Sequence, residues 1–207
     1  MGGRRGGRRQ RCGAALTSRG RVGVLVSGEG SNLQALIDAA GVDVVCVVSN
    51  RPGVRALERA AAAGLPALVS TSDDETAAFL EQHDVSVVVL AGYMRILSPA
   101  FVGRFSGRIL NVHPSLLPAF PGARAIADAL AHGVRVTGVT VHLVDSDHVT
   151  ADSGPIVLQE AIPVPYDQSP AELAERLHEI EHRLLPEAVR LLTSGRIEMD
   201  GRRVRIT

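Results

Sequence analysis

The chain has 207 residues, 45% of them hydrophobic and 21% charged, with 22 basic side chains balanced by 22 acidic ones. That length suits one domain with a well-developed core, and no apolar run is long enough to cross a bilayer. All of the basic residues counted are arginines, and the lack of lysine excludes a phosphate-loop NTPase and a Schiff-base enzyme.

The neutral balance conceals an asymmetry. The seven basic residues before Val22 have no acid among them, so the remainder carries 15 bases against 22 acids. An acidic body argues against nucleic acid as a partner. Met1–Arg21 is Gly/Arg-rich without hydrophobic periodicity and is expected to be a disordered extension, leaving 22–207 as the domain. An RNA-binding arm or an organellar presequence fits the same composition. The stretch lacks the apolar core of a secretory signal and the amphipathic pattern of a transit peptide. Cys12 and Cys46 form neither a metal spacing nor a disulfide framework. Cys46 lies in an apolar run that suggests a buried thiol, which fits a reducing cytoplasm.

Val22–Ser27 reads as the first buried strand. Gly28-Glu29-Gly30-Ser31-Asn32 follows, then an amphipathic helix from Leu33 to Ala40. Strand, glycine turn and helix together aim free backbone N–H groups at a phosphate. The two glycines allow close backbone approach, and the Ser31 hydroxyl adds a donor. A dinucleotide fingerprint would need a third glycine near Leu33, which is absent. Asp43–Ser49 is a second, valine-rich strand, as expected when both faces are buried. Val54–Ala63 reads as a helix closed by Gly64, Ala67–Val69 as a short strand, Asp73–His83 as a helix and Val85–Ala91 as a fourth core strand. This alternation predicts an α/β fold with a mostly parallel, doubly wound sheet. Gly92–Pro99 forms the loop after the fourth strand. Core packing accounts for Met94 and Leu97 as well as ligand contact does, whereas Arg95 between apolar neighbours needs a carboxylate or carbonyl.

The apolar run Arg108–His113 ends in Asn111-Val112-His113-Pro114, followed by Ser115-Leu116-Leu117-Pro118-Ala119-Phe120-Pro121-Gly122. In a strand Asn111 and His113 share a face, and the prolines make the next segment a stiff, non-helical loop. A carboxamide and an imidazole at the carboxyl end of a parallel strand sit where open α/β sheets place their chemistry. Capping of the strand by His113 and of loop amides by Asn111 fits the local sequence equally well.

Ala123–Ala131 reads as a helix. Arg135–Val144 alternates, with Val139, Val141 and Leu143 on one face and Thr140 and His142 on the other. His142 there fits either support of the site or a solvent- or loop-facing position. Asp145–Pro155 is a loop with three aspartates, and a metal set of Asp145, Asp147, His148 and Asp152 matches no recognised spacing. Ile156–Ile162 is the last core strand. Ser169-Pro170-Ala171-Glu172 opens a helix with a capping box, running to about Leu192 with a kink expected at Pro186. Ile197–Ile206 reads as a hairpin turning at Asp200-Gly201.

Asn111-Val112-His113-Pro114-Ser115-Leu116-Leu117-Pro118 followed by Phe120-Pro121-Gly122 resembles the signature of the folate-dependent formyltransferases. Within them the chain is most similar to the phosphoribosylglycinamide formyltransferases of purine biosynthesis, from about Val22 to Leu192. The resemblance implies the formyltransferase fold with antiparallel additions in the C-terminal half. It implies 10-formyltetrahydrofolate as co-substrate, glycinamide ribonucleotide as acceptor and no metal; a homodimer is left open. By the same resemblance Asn111, His113 and Asp152 are catalytic. Gly28, Gly30, Ser31, Asn32 and Glu181 would hold the phosphate and ribose, and Met94, Arg95, Ile96, Leu97 and Val144 the folate. Asn111 and His113 would donate to the oxyanion of an acyl transfer, while Asp152 orients His113 and accepts the proton through water.

The chain departs from the family in four places. The helix at 73–83 is short, and an arginine that some relatives carry near it has no match. Arg124 stands where a histidine is common. The loop before Asp152 is longer, with His148-Val149-Thr150 as the insert and Asp145 and Asp147 as rival carboxylates. A methionyl-tRNA formyltransferase is expected to carry an extra C-terminal domain, for which this chain ends too early, and a formyltetrahydrofolate hydrolase an N-terminal regulatory domain, for which the tail is too short and polar. A non-catalytic nucleotide-binding module of the same fold is the alternative from another class.

Overall fold

The computed structural model describes residues 10–12, 20–144 and 152–207. In chain order the elements are β1 (Gln10–Cys12), β2 (Arg21–Val26), α1 (Ser31–Asp38), β3 (Asp43–Ser49), α2 (Arg55–Ala62), β4 (Ala67–Val69), α3 (Asp73–Gln82) and β5 (Val87–Leu90). Then come α4 (Pro99–Arg104), β6 (Ile109–His113), α5 (Ala125–His132), β7 (Val136–Leu143), β8 (Ile156–Pro163), α6 (Pro170–Thr193), β9 (Ile197–Asp200) and β10 (Arg203–Ile206).

A seven-stranded sheet runs in the order β4-β3-β2-β5-β6-β7-β8. The strands from β4 to β6 are parallel, and β7 and β8 are added antiparallel, as the sequence implied. Period two is visible within single strands. Val87 and Val89 of β5 pack into one core layer and Val88 and Leu90 into the other, so a continuous apolar run serves a strand buried on both faces. One layer lies under α1, α2, α5 and α6, the other under α3 and α4. Gly23 permits the second: a Cβ there would lie 2.5 Å from the Leu80 side chain of α3. Cys46 is fully buried, and burial pushes its thiol up to about 12, so it behaves as a small hydrophobe.

Two elements, β1 and α4, differ from the sequence reading. Gln10–Cys12 pairs antiparallel with β9, making a three-stranded sheet with β10, and Arg21 belongs to β2; the rest of the expected extension lies outside the described residues. Strand pairing uses backbone groups, which composition does not reveal. Helix α4 was not anticipated, although Ser98 caps Phe101 N–H and Pro99 follows it at the first turn. Helix α6 is one continuous element across Pro186, opened by the expected capping box of Ser169 and Glu172. No helix among the described residues is long and apolar enough to cross a membrane.

Candidate active site

The carboxyl ends of β2, β5 and β6 open into one cleft of about 730 Å³. Its walls include Gly28–Asn32, Tyr93–Leu97, Asn111, His113, His142, Val144, Asp152 and Glu181, so the residues that the resemblance assigned to catalysis, ribonucleotide and folate all line the same cleft.

Asn111 and His113 project from one face of β6. Antiparallel register sets His142 of β7 opposite Asn111, and residues so paired share a face. Asn111 Nδ2 lies 3.1 Å from His142 Nε2 and donates to Asp152 Oδ1 at 3.0 Å. His142 Nδ1 meets the Leu143 carbonyl at 3.0 Å. A carbonyl only accepts, so neutral His142 carries its proton on Nδ1 and leaves Nε2 to accept from Asn111. The bland reading of His142 as a solvent-facing histidine is corrected: it is 2% exposed and belongs to the cluster. Only the register shows this, and register is a tertiary property.

His113 Nδ1 is 3.4 Å from Asp152 Oδ2, and Nε2 meets the Phe120 carbonyl at 2.8 Å. Gly122 N–H donates to Asp152 Oδ2 at 2.8 Å. Burial works against ionisation of Asp152. When His142 is protonated, its contact and Gly122 N–H, with the charges of His113 and His142, outweigh it and hold the carboxyl at about 2. Asp152 itself has φ 59, a left-handed conformation that aspartate tolerates better than most residues. The proline loop that supplies Phe120 and Gly122 is pinned from beneath. Thr140 Oγ1 donates to Ser115 O and accepts from Leu117 N–H, and Gln159 donates to Leu117 O.

At the other end of the cleft, Gly30 sits at the N-cap of α1 with φ 73 and no side-chain cap, leaving first-turn N–H groups to a ligand. The sequence reading gave both glycines to close ligand approach; the structure separates them. Gly28 has nothing within 4 Å of an added Cβ, whereas at Gly30 a Cβ would lie 2.7 Å from that of Ala56. Gly30, which also lines the cleft, therefore lets α2 pack closely, and α2 clamps the loop through Arg59 Nε donating to Glu29 O at 3.0 Å. Asn32 Nδ2 donates to Glu181 Oε2 at 2.7 Å, and Asn32 Oδ1 is buried without a partner among the described residues. Glu181 is 5% exposed; burial raises its pKa, opposed by the Asn32 hydrogen bond and by His178.

The loop after β5 forms the third wall. Met94 and Ile96 are 61% and 84% exposed, while Leu97 is core. Arg95 finds both expected partners, the Asp73 carboxylate at 3.8 Å and the Thr71 carbonyl. Ser27 Oγ accepts from Met94 N–H at 2.8 Å and donates to Asn50 Oδ1 at 2.6 Å. Arg124 turns to Asp128 at 3.5 Å. Asp145, Asp147 and the insert His148–Thr150 lie outside the described residues, and among those described no cluster of three metal-ligating side chains occurs.

With the cleft and its geometry in place, the chain can be compared with known proteins. Residues 20–189 fit the family model described as formyl transferase. The chain belongs to the formyl transferase family. A Mycobacterium tuberculosis relative named phosphoribosylglycinamide formyltransferase is 45% identical over 88% of this chain and 89% of its own length. A crystal structure of glycinamide ribonucleotide transformylase 1 from Symbiobacterium toebii superposes with a TM-score of 0.86 at 44% identity, covering 94% of this chain and 98% of that one. The trifunctional purine biosynthetic protein adenosine-3 of Chironomus tentans is 43% identical over 88% of this chain. The chain spans 14% of that protein's length. The Symbiobacterium structure shares the fold described above for this chain.

Proposed function

We propose that this chain transfers the formyl group of 10-formyltetrahydrofolate to the amine of glycinamide ribonucleotide in purine biosynthesis. The observation that carries the reading is the single cleft that joins the uncapped α1 N-terminus to the Asn111–His113–Asp152 cluster. A ribonucleotide phosphate at Gly28–Asn32 and a formyl carbon near His113 fit such a cleft. The exposed faces of Met94 and Ile96 offer an apolar wall to the folate. The names of the Mycobacterium and Symbiobacterium relatives support the same acceptor.

In this reaction the amine attacks the formyl carbon, the carbonyl π pair moves to oxygen, and collapse of the tetrahedral intermediate breaks the bond to folate N10. The ammonium proton leaves through water, and N10 regains one. A carboxyl held at about 2 is too weak a base to keep that proton. Asp152 acts instead as the fixed negative partner of His113, stabilising the imidazolium as the oxyanion forms. The N–H groups of Asn111 and His113 face Asp152, His142 and Phe120 O here, so donation to the oxyanion requires them to exchange these acceptors. Such tightening on substrate binding is common.

The test mixes purified protein with both substrates and follows loss of formyl-folate together with formylated ribonucleotide. Stoichiometric product supports the transferase. Loss of formyl-folate without ribonucleotide identifies a hydrolase, and no turnover a non-catalytic module.

A further inference from the structure

The turn between β9 and β10 reaches the catalytic loop. Arg202 Nη2 donates to the Ser153 carbonyl at 2.7 Å, across 49 positions of sequence. Ser153 follows Asp152, whose left-handed backbone needs its surroundings to hold it. From the sheet side, the stretch is tied by Gly122 N–H to Asp152, by Leu143 N–H to Pro155 O at 2.9 Å, and by Gly154. A Cβ on Gly154 would lie 1.7 Å from Leu143 O, so backbone rests on backbone there. Arg202 adds a tether from the hairpin.

The hairpin is anchored well enough to serve as a support. Ile197 is fully buried, and Met199 and Val204 pack against the main core. Strand β1 widens the hairpin to three strands, which an isolated pair needs for stability. Gly201 with φ 59 forms the tight turn that presents Arg202. A charged donor on a carbonyl is among the stronger hydrogen bonds, and one N–H suffices to hold it.

We infer that the C-terminal hairpin braces the catalytic loop and that Arg202 is a positioning residue for Asp152. The role in turnover rests on the acyl-transfer reading above. The brace fixes the peptide beyond Ser153, so that the Asp152 carboxylate stays on Gly122 N–H and within reach of His113.

The experiment compares wild type, Arg202→Ala and Arg202→Lys by kcat, both KM values, melting temperature and the 13C titration of the Asp152 carboxyl, assigned with Asp152→Asn. Arg202→Ala is expected to lower kcat about 3- to 10-fold, the size of one ordinary hydrogen bond. Both KM values and the melting temperature stay near wild type. The Asp152 titration moves upward as contact with Gly122 weakens, and Arg202→Lys recovers most of kcat. Wild-type kcat with an unmoved Asp152 titration in Arg202→Ala overturns the brace. So does a loss of kcat that follows a lowered melting temperature and is not recovered by lysine. An inactive wild type sinks the acyl-transfer reading, and the titration still decides the brace.

Discussion

Asn111 and His142 meet across the β6–β7 ladder with 3.1 Å between Nδ2 and Nε2, and Asp152 takes the other Asn111 amide hydrogen at 3.0 Å. The carboxamide therefore links a histidine of one strand to the carboxylate of a loop. His113 joins the same carboxylate from the other side. Four side chains share one network, and variants within it are expected to be strongly non-additive.

His113→Ala is expected to lower kcat about 10²- to 10³-fold, the usual cost of one oxyanion donor. KM for the ribonucleotide should hardly change. The double variant with Asn111→Ala should fall well short of the product of the single losses, because both groups serve one oxygen. Steady-state kinetics on the four proteins checks this. A folded, ligand-competent His113→Ala enzyme with near-normal turnover would remove the mechanism and leave only the fold.

Asp152→Asn is expected to abolish most transfer while retaining folate binding. The depressed pKa also makes Asp152 a stability group. Its folded pKa of about 2 lies below the ordinary carboxylate value, so the stabilisation is present above the unfolded pKa and is lost as pH falls towards 2. Denaturant unfolding of wild type and Asp152→Asn should show a gap that closes between about pH 4 and pH 2. A gap independent of pH would mean that the carboxylate is not held by these contacts.

Glu181 has the opposite sign. Burial raises its pKa, so its contribution favours the fold at low pH and opposes it as pH rises and the carboxyl ionises. Glu181→Gln keeps an oxygen for Asn32 and removes the buried charge. It should raise the melting temperature at neutral pH, raise KM for the ribonucleotide and leave KM for the folate alone. A variant that loses stability at pH 7, or that weakens both substrates equally, would contradict this.

The two loop glycines should separate in experiment. Gly28→Ala adds a methyl group into open space, so it should raise the ribonucleotide KM without loss of stability. Gly30→Ala meets Ala56 and takes φ 73, costing about 1–3 kcal/mol from overpacking and left-handed strain. Ala56→Gly should restore part of that loss. Thermal unfolding of the three proteins decides whether Gly30 answers to the helix or to the ligand.

Much of this was legible in the sequence because it is local. The shared face of Asn111 and His113 follows from period two within one strand, and the capping box at Ser169 from residues three apart. What stayed hidden depends on elements distant in sequence. His142 gains its place only from antiparallel register, and Gly30 gains its requirement from a helix that starts 25 positions later. Arg202 looks like any exposed turn residue until the Ser153 carbonyl is beside it. Helix α4 is a different kind of miss, since Ser98-Pro99 carries the cap-then-proline signal that marks α6 at Ser169-Pro170.

The Ser27 hydroxyl, which receives Met94 N–H and gives its proton to Asn50, ties three loop ends in series. A hydroxyl has one proton to give, so the orientation that satisfies Asn50 also leaves its lone pair for Met94. The apolar wall at Met94 and the turn after β3 are thus geared together through a residue at the root of the glycine loop. A displacement at Asn50 or at Met94 therefore pulls on the same hydroxyl.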